Sequence, residues 1–113
     1  MGNVGSLRGR KEFGRVYALG RRVRGRLVTV YACPSQVARS EIRLGLVIPG
    51  RGTSAVARNR IRRRLRAAFA ATSAPGGFDY VVRASPRVET VTYQLLVDAV
   101  RRGVEVATGV EET

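Results

Sequence analysis

The sequence predicts a single α/β domain, a two-layer α+β sandwich in which helices pack against a central, mostly buried sheet. The length of 113 residues allows one modest hydrophobic core, and therefore one domain spanning 1–113. Three segments carry apolar residues at helical spacing, and three shorter segments are rich in β-branched and aromatic residues. These segments follow one another as helix, strand, strand, helix, strand, helix, an alternation that is typical of α/β folds.

The first helix is predicted at residues 10–19, after a glycine-rich N-terminal segment, 1–9, that we expect to be flexible. Its Phe13, Val16 and Tyr17 are spaced three and four residues apart and share one face of a helix. A glycine directly after Leu19 is placed to end the helix. The shared face is therefore expected to pack against the sheet.

Two strands are predicted next, at 26–33 and 43–48. The first contains β-branched and aromatic residues, ends at a proline, and places Thr29 and Tyr31 on one face by simple alternation. The arginine-rich residues 21–26 are expected to form a basic loop that could contribute a short extra strand, and 34–40 a polar loop.

The second helix is predicted to start at Thr53 or Ser54, either of which can cap it, and to run to about Thr72. A glycine- and proline-containing turn at 73–77 ends it. The third strand follows at 78–84, where β-branched and aromatic residues dominate again.

The last helix is predicted at about 90–102, with Glu89 or Thr90 as its cap. Gly103 stands where a glycine would end this helix, and 104–113 are expected to be a frayed tail. The apolar stripe of the helix consists of Tyr93, Leu96, Val97 and Val100.

The second helix carries an uninterrupted basic face. Six arginines fall within the nine residues 58–66, and no acidic residue occurs between Glu41 and Asp79. Helical geometry separates an apolar face from the arginines, and like charges one turn apart repel each other. The apolar face contains Ala57, Ile61, Leu65, Ala68 and Phe69, and the opposite face contains Asn59, Arg60, Arg62, Arg63 and Arg66. Such a face is either a solvated helix surface or a binding surface for a polyanion.

Composition narrows the function further. The formal net charge of +13 indicates nucleic acid or an anionic membrane as partner, and only Lys11 among the 21 basic residues is a lysine. The sequence has no apolar run of about 18 residues, which argues against a membrane span. It has no histidine and few carboxylates, so we expect neither a catalytic nor a metal site in this chain. Cys33 is the single cysteine, so it cannot form an intramolecular disulfide, and we expect it to be buried. The single cysteine and the lack of a long apolar run together suggest a cytoplasmic protein.

Phe13, Tyr17 and Tyr31 allow two interpretations. They are either ordinary core residues or a stacking platform, because single-stranded nucleic acid is held by a basic groove with aromatic rings for the bases. The loop 50–54 resembles a phosphate cradle but lacks the lysine and serine or threonine of a P-loop, so we interpret it as a plain helix cap.

Four blocks of residues resemble the bacterial ribonuclease P protein subunit family. The arginine block closely resembles the RNR signature of that family, and three flanking blocks occur in the same order and spacing. The matching blocks are 12–17, 43–48, 55–66 and 78–84, and the resemblance as a whole covers about residues 7–102.

The resemblance implies both a fold and a function. The fold would contain a left-handed βαβ crossover, against the usual rule. The protein would assist a catalytic RNA that removes the 5′ leader of precursor tRNA, with one protein for each RNA. The RNA would hold the active site and the Mg²⁺, and this chain would bind no cofactor. The RNA-binding positions carried over to the helix are Arg58, Asn59, Arg60, Arg62, Arg63 and Arg66. The leader-cleft positions are Phe13, Tyr17, Thr29 and Tyr31.

One departure and two alternatives stand beside this interpretation. The family's second basic residue and Gly-Asn step before the helix are missing from 50–54, which puts contacts from that loop in doubt. A ribosomal or other structural RNA-binding protein would have a similar composition. A protein-only nuclease is disfavoured, because two-metal hydrolysis needs clustered acidic ligands.

Overall fold

The computed structural model describes residues 4–36 and 41–110. These ranges contain three helices and five strands, which belong to one sheet. In chain order the elements are β1 (Val4–Ser6), α1 (Gly9–Leu19), β2 (Arg21–Arg24), β3 (Val28–Pro34), β4 (Ile42–Val47), α2 (Ala55–Ala71), β5 (Phe78–Ala84), a short 3₁₀ turn (Pro86–Glu89) and α3 (Tyr93–Thr108). The predicted mixed α/β sandwich is confirmed.

The strands lie in the order β1-β4-β5-β3-β2, so β5 is central and β1 and β2 are the edges. β3 is antiparallel to β2 and β5, whereas β4 is parallel to β5 and β1. Since α2 connects the parallel neighbours β4 and β5, the three form a βαβ unit. The left-handed crossover stays a prediction.

The main core lies between one face of the sheet and the helices α2 and α3. The strands β3, β4 and β5 contribute buried residues to this core. The helices contribute, among others, the fully buried Leu65, Leu96 and Val100. A smaller cluster fills the other face, where α1 packs. Its buried members are Leu7, Val16, Cys33 and Val81. The burial of Cys33 is therefore confirmed, and both faces of the sheet are at least partly covered.

Two predictions about elements in the N-terminal part of the chain need correction. Residues 4–6, within the segment expected to be flexible, form β1 and pair with β4. The segment 21–26 is not only a loop, because Arg21–Arg24 form β2, the short extra strand that the sequence allows. Parts of the N-terminal segment, of the polar loop 34–40 and of the C-terminal tail lie outside the described residues.

The prediction for the end of α3 was wrong. The helix continues beyond residue 102 to Thr108, and it ends at Gly109, whose φ of 76° is the left-handed conformation that glycine adopts easily. Its cap is Thr92, which accepts a hydrogen bond from the backbone N–H of Leu95, and not Glu89 or Thr90. Gly103 lies within the helix, where its missing side chain lets α3 approach β3 closely. Among residues 4–36 and 41–110, none of the helices qualifies as a membrane span.

Candidate nucleic-acid interface

The helix α2 presents the predicted arginine face to solvent. Ser54 caps its first turn by accepting the backbone N–H of Ala57 at 3.1 Å, as one of the two predicted caps. The predicted apolar face is buried, with Leu65 fully enclosed. On the opposite side, the exposed residues are Asn59, Arg60, Arg62, Arg63 and Arg66.

Most of these exposed guanidinium groups remain available for a partner. Arg63 and Arg66 make no hydrogen bond or ion pair within the described part of the chain. Arg62 Nη1 only donates to Asn59 Oδ1, at 3.0 Å, and Arg60 forms an exposed ion pair of 2.9 Å with Glu89. Exposed pairs of this kind contribute about 0–1 kcal/mol, so a phosphate can replace them at little cost. The face therefore suits a polyanion.

Two arginines of the same run point elsewhere. Arg58, predicted to face RNA, is half-buried, and its Nη1 donates to the carbonyl oxygens of Thr53, at 2.7 Å, and Gly50, at 3.5 Å. It therefore holds the loop ahead of α2. Arg64 donates to the carbonyl oxygens of Val88, Glu89 and Val91 and so fastens the 3₁₀ turn and the segment after it to α2.

Replacement of Arg64 by alanine is expected to lower the free energy of unfolding by about 1–3 kcal/mol, because it leaves half-buried carbonyl groups without donors. Arg66→Ala serves as its control and should change stability by no more than about 0.5 kcal/mol, since Arg66 is exposed and unpaired. Urea unfolding of both variants checks this. Equal losses for the two variants would contradict the structural role of Arg64.

The second surface lies on the face of the sheet that α1 only partly covers. Phe13 and Tyr17 project from α1, and Tyr31 and Thr29 from β3. The rings form a chain in which the centroids of Phe13 and Tyr17 lie 6.4 Å apart, and those of Tyr17 and Tyr31 lie 4.9 Å apart in an edge-to-face arrangement. All four predicted cleft residues are thus brought together along one groove, which we call the aromatic cleft.

The rings combine packing with exposure. Phe13 is half-buried and lies against Gly45 of β4, where a Cβ atom would come within 2.5 Å of the phenyl ring. Tyr17 remains 40% exposed. Partial burial, together with the neighbouring Tyr31, raises the pKa of Tyr17, although Arg83 lowers it in part, so its phenol is neutral at physiological pH. A half-open neutral ring beside cations suits a nucleobase.

The cleft continues into a basic surface that the sequence interpretation did not include. Residues paired across neighbouring strands share a face, and the pairs Arg22↔Tyr31, Arg24↔Thr29 and Thr29↔Arg83 place three exposed arginines beside the rings. They line an open cavity of about 320 Å³ with Thr29 and Tyr31. The alternation of arginines at 22 and 24 was the signal for this surface, once 21–24 is recognised as a strand.

A cluster of charged residues connects α1 to β4 and β5. Asp79, only 1% exposed, accepts from Arg43 Nε at 3.0 Å and Nη2 at 2.7 Å. Arg43 Nη1 reaches the carboxylate of Glu12 at 2.9 Å, and Arg15 Nη1 lies 3.5 Å from Asp79. The Arg8 N–H and, to a lesser extent, Arg43 lower the pKa of Glu12, although burial opposes them. These four charged residues, Glu12, Arg15, Arg43 and Asp79, form what we call the α1 clamp.

The arginine face of α2 and the aromatic cleft are joined by a short segment of chain. Val47 of β4 pairs with Arg83 at the open, basic end of the cleft, and α2 begins eight residues later at Ala55. Arg58 holds the intervening loop to α2. Within the described residues, no three histidine, cysteine, aspartate or glutamate side chains are grouped as metal ligands.

Known proteins with similar sequences belong to one family. The family model Ribonuclease P matches residues 1–108. A ribonuclease P protein component from Acidothermus cellulolyticus is 40% identical over 89 residues, which cover 77% of this chain and 74% of that protein. Another, from Thermus scotoductus, is 38% identical over 101 residues, 88% of this chain but only 59% of the relative.

Solved structures agree with the sequence comparison. A mutant RNase P protein from Staphylococcus aureus superimposes with a TM-score of 0.79 at 25% identity, covering 91% of this chain and 87% of that one. For an RNase P protein from Thermotoga maritima the TM-score is 0.76 at 23% identity, with 88% and 96% covered, a likeness that shows the fold alone. Since the family match spans nearly the whole sequence, this chain belongs to the ribonuclease P protein family, the protein component of a tRNA-processing ribonuclease.

Proposed function

We propose that this chain binds the catalytic RNA of ribonuclease P through the arginine face of α2 and the 5′ leader of precursor tRNA through the aromatic cleft. The observation that carries the proposal is the aromatic cleft itself, in which three rings adjoin three unpaired arginines on an open sheet face. Arginine face and cleft lie on different elements, so one chain can bind a structured RNA and a single strand at once.

Each surface suits its proposed partner. Arginine forms bidentate contacts with phosphates, and a continuous face of such groups matches the backbone of a folded RNA. The cleft provides rings for unpaired bases and cations for the phosphates that follow them. A duplex would keep its bases stacked inside and could not use the rings, which favours a single-stranded leader.

Chemistry is assigned to the RNA partner in this proposal. One protein binds one RNA in the cytoplasm, and Mg²⁺ is held by that RNA. This chain positions the leader and neutralises phosphate charge, so it lowers the Mg²⁺ concentration that cleavage requires. The purified protein alone is expected to leave precursor tRNA intact.

A ribonuclease P RNA assayed with and without the protein tests the function. Cleavage at low Mg²⁺ is expected only with the protein, and affinity is expected to be higher for a substrate with a long leader than for one with a single-nucleotide leader. Protein that leaves low-Mg²⁺ cleavage unchanged would contradict the proposal. An affinity that does not depend on leader length would instead indicate a structural RNA-binding protein. Metal-dependent cleavage of precursor tRNA by the protein without RNA would indicate a protein-only nuclease.

Tyr17→Ala is expected to weaken binding of the long-leader substrate by about 1–3 kcal/mol, the contribution of one stacked base, and to leave the short-leader substrate unaffected. Tyr93→Ala on α3 is a matched control, because Tyr93 is 45% exposed against 40% for Tyr17 and projects from α3, which packs on the opposite face of the sheet. Equilibrium binding of both substrates by both variants measures the difference. Equal effects of the two substitutions would show that Tyr17 does not belong to the leader-binding site.

A further inference from the structure

The helix that forms one wall of the aromatic cleft buries little apolar surface. Only Val16 of α1 is fully buried, whereas α2 contributes five buried residues and α3 six. Phe13 is half-buried and packs against the smaller core cluster under α1, whereas Tyr17 remains 40% exposed in the cleft. Apolar burial therefore anchors α1 less firmly than α2 or α3, so an additional attachment contributes to the distance between α1 and the sheet.

The α1 clamp supplies that attachment. Asp79 and Arg43 are neighbours in the parallel register of β5 and β4. Arg43 donates two parallel hydrogen bonds to the buried carboxylate of Asp79. Arg43 then extends its remaining nitrogen to Glu12 on α1. From the helix side, Arg15 reaches back to Asp79 and also donates to the carbonyl oxygen of Pro34 at 2.9 Å. Two strands of the sheet and the helix are thus connected by charged hydrogen bonds.

The clamp holds the turn of α1 that carries the rings. Glu12 directly precedes Phe13, and Arg15 lies between Phe13 and Tyr17. Below this turn, Gly45 follows Arg43 two residues later on the same face of β4 and leaves room for the Phe13 ring. A small shift of α1 would either press Phe13 into β4 or separate Tyr17 from Tyr31, whose rings now lie 4.9 Å apart.

We propose that Arg43 and Asp79 are positioning residues for leader binding: through Glu12 and Arg15 they fix α1 at the distance from the sheet at which the aromatic cleft accepts a base. This inference rests on the proposed function of the cleft. Bidentate geometry is essential to it, because the fork held on Asp79 directs the remaining nitrogen of Arg43 towards Glu12 on α1, whereas a lysine would present only a point charge.

Two mild substitutions test the clamp in the reconstituted holoenzyme. Arg43→Lys keeps the charge but loses the fork, and Glu12→Gln loses one charge from a side chain that is 36% exposed. Both are expected to reduce the affinity ratio of long-leader to single-nucleotide-leader precursor tRNA about tenfold, the effect of one lost charge-assisted hydrogen bond. Hydrogen exchange should become faster in α1 and stay unchanged in α2 and α3.

Glu89→Gln is the matched control, since it breaks a similar exposed pair of 2.9 Å with Arg60, away from the cleft. It should change neither the leader ratio nor exchange in α1. Asp79→Asn is expected to have the strongest effect on α1, and if that variant does not fold, Arg43→Lys and Glu12→Gln still decide the question.

The possible outcomes distinguish a failure of the clamp from a failure of leader binding by the aromatic cleft. A reduced leader ratio with faster exchange confined to α1 supports the clamp. An unchanged ratio in both clamp variants, while Tyr17→Ala lowers it, overturns the clamp and leaves the cleft assignment intact. If Tyr17→Ala also leaves the ratio unchanged, the leader cleft is wrong and the clamp's proposed role is overturned with it.

Discussion

Alanine at position 103 is expected to lower the free energy of unfolding by about 1–3 kcal/mol, the usual cost of forcing an extra group into a filled core. A Cβ atom there would lie 2.4 Å from Cγ2 and 3.0 Å from Cβ of Val30. Val30 is completely buried, and its short β-branched side chain has no room to rotate away. The helix α3 would have to move off β3, although alanine normally favours a helix.

Gly14→Ala is the matched control for this experiment. Gly14 also lies within a helix, but a Cβ atom there has no neighbour within 4 Å. Alanine should therefore stabilise the protein by about 0.5–1 kcal/mol through helix propensity alone. Chemical denaturation of the two variants should give changes of opposite sign. A stabilised Gly103→Ala would mean that α3 and β3 are packed less tightly than the structure indicates.

Removal of Arg63 and Arg66 together is expected to produce the largest loss of RNA affinity. Both are exposed on α2 and have no protein partner in the described ranges, so their full charge is available for phosphates. Each phosphate contact contributes about 0.9 to the slope of log affinity against log salt, so two lost contacts should reduce it by about 1.8 (2 × 0.9). At about 0.1 M salt this corresponds to roughly 60-fold weaker binding of ribonuclease P RNA.

The double variant Arg101→Ala with Arg102→Ala removes the same charge from α3. Arg101 already forms a 3.5 Å pair with Asp98, and neither residue belongs to the arginine face. The salt slope of this control should stay close to that of the unaltered protein. If both double variants lowered the slope equally, net charge rather than the arginine face would determine RNA affinity.

The periodicity of apolar residues was sufficient to predict those helices and strands that depend mainly on their local sequence. The spacing of apolar and charged positions in α2 predicted both the helix and its buried side, and the β-branched run of β5 predicted a strand. The ring residues of the cleft were also assembled as predicted, because Phe13 and Tyr17 share a helix face whatever that helix packs against.

Contacts between distant segments could not be predicted in this way. Gly103 looks like a helix end in the sequence, and only the position of Val30 reveals that it is a packing site. The three residues of β1 have no strand pattern, and they become a strand because β4 offers an edge. Arg64 belongs to a run of arginines, yet the carbonyl groups of residues 88–91 give it a different role.

The clamp escaped prediction for a similar reason. Asp79 is a single acid in an apolar strand, and the sequence contains nothing that identifies Arg43 as its partner 36 residues earlier. The parallel register of β4 and β5 places the two side by side. Charge patterns along the chain indicate surfaces, whereas buried ion pairs depend on the topology that brings strands together.

The central place of β5 in the sheet has a consequence for how the chain folds. Both of its neighbours, β3 and β4, precede it in the sequence and pair with it rather than with each other. During synthesis, therefore, the first 77 residues cannot assemble the sheet, because the strand that joins its two halves has not yet been made. The arginine helix leaves the ribosome before its apolar face has a complete surface to pack against. The complete five-stranded sheet can therefore form only once residue 84 is available.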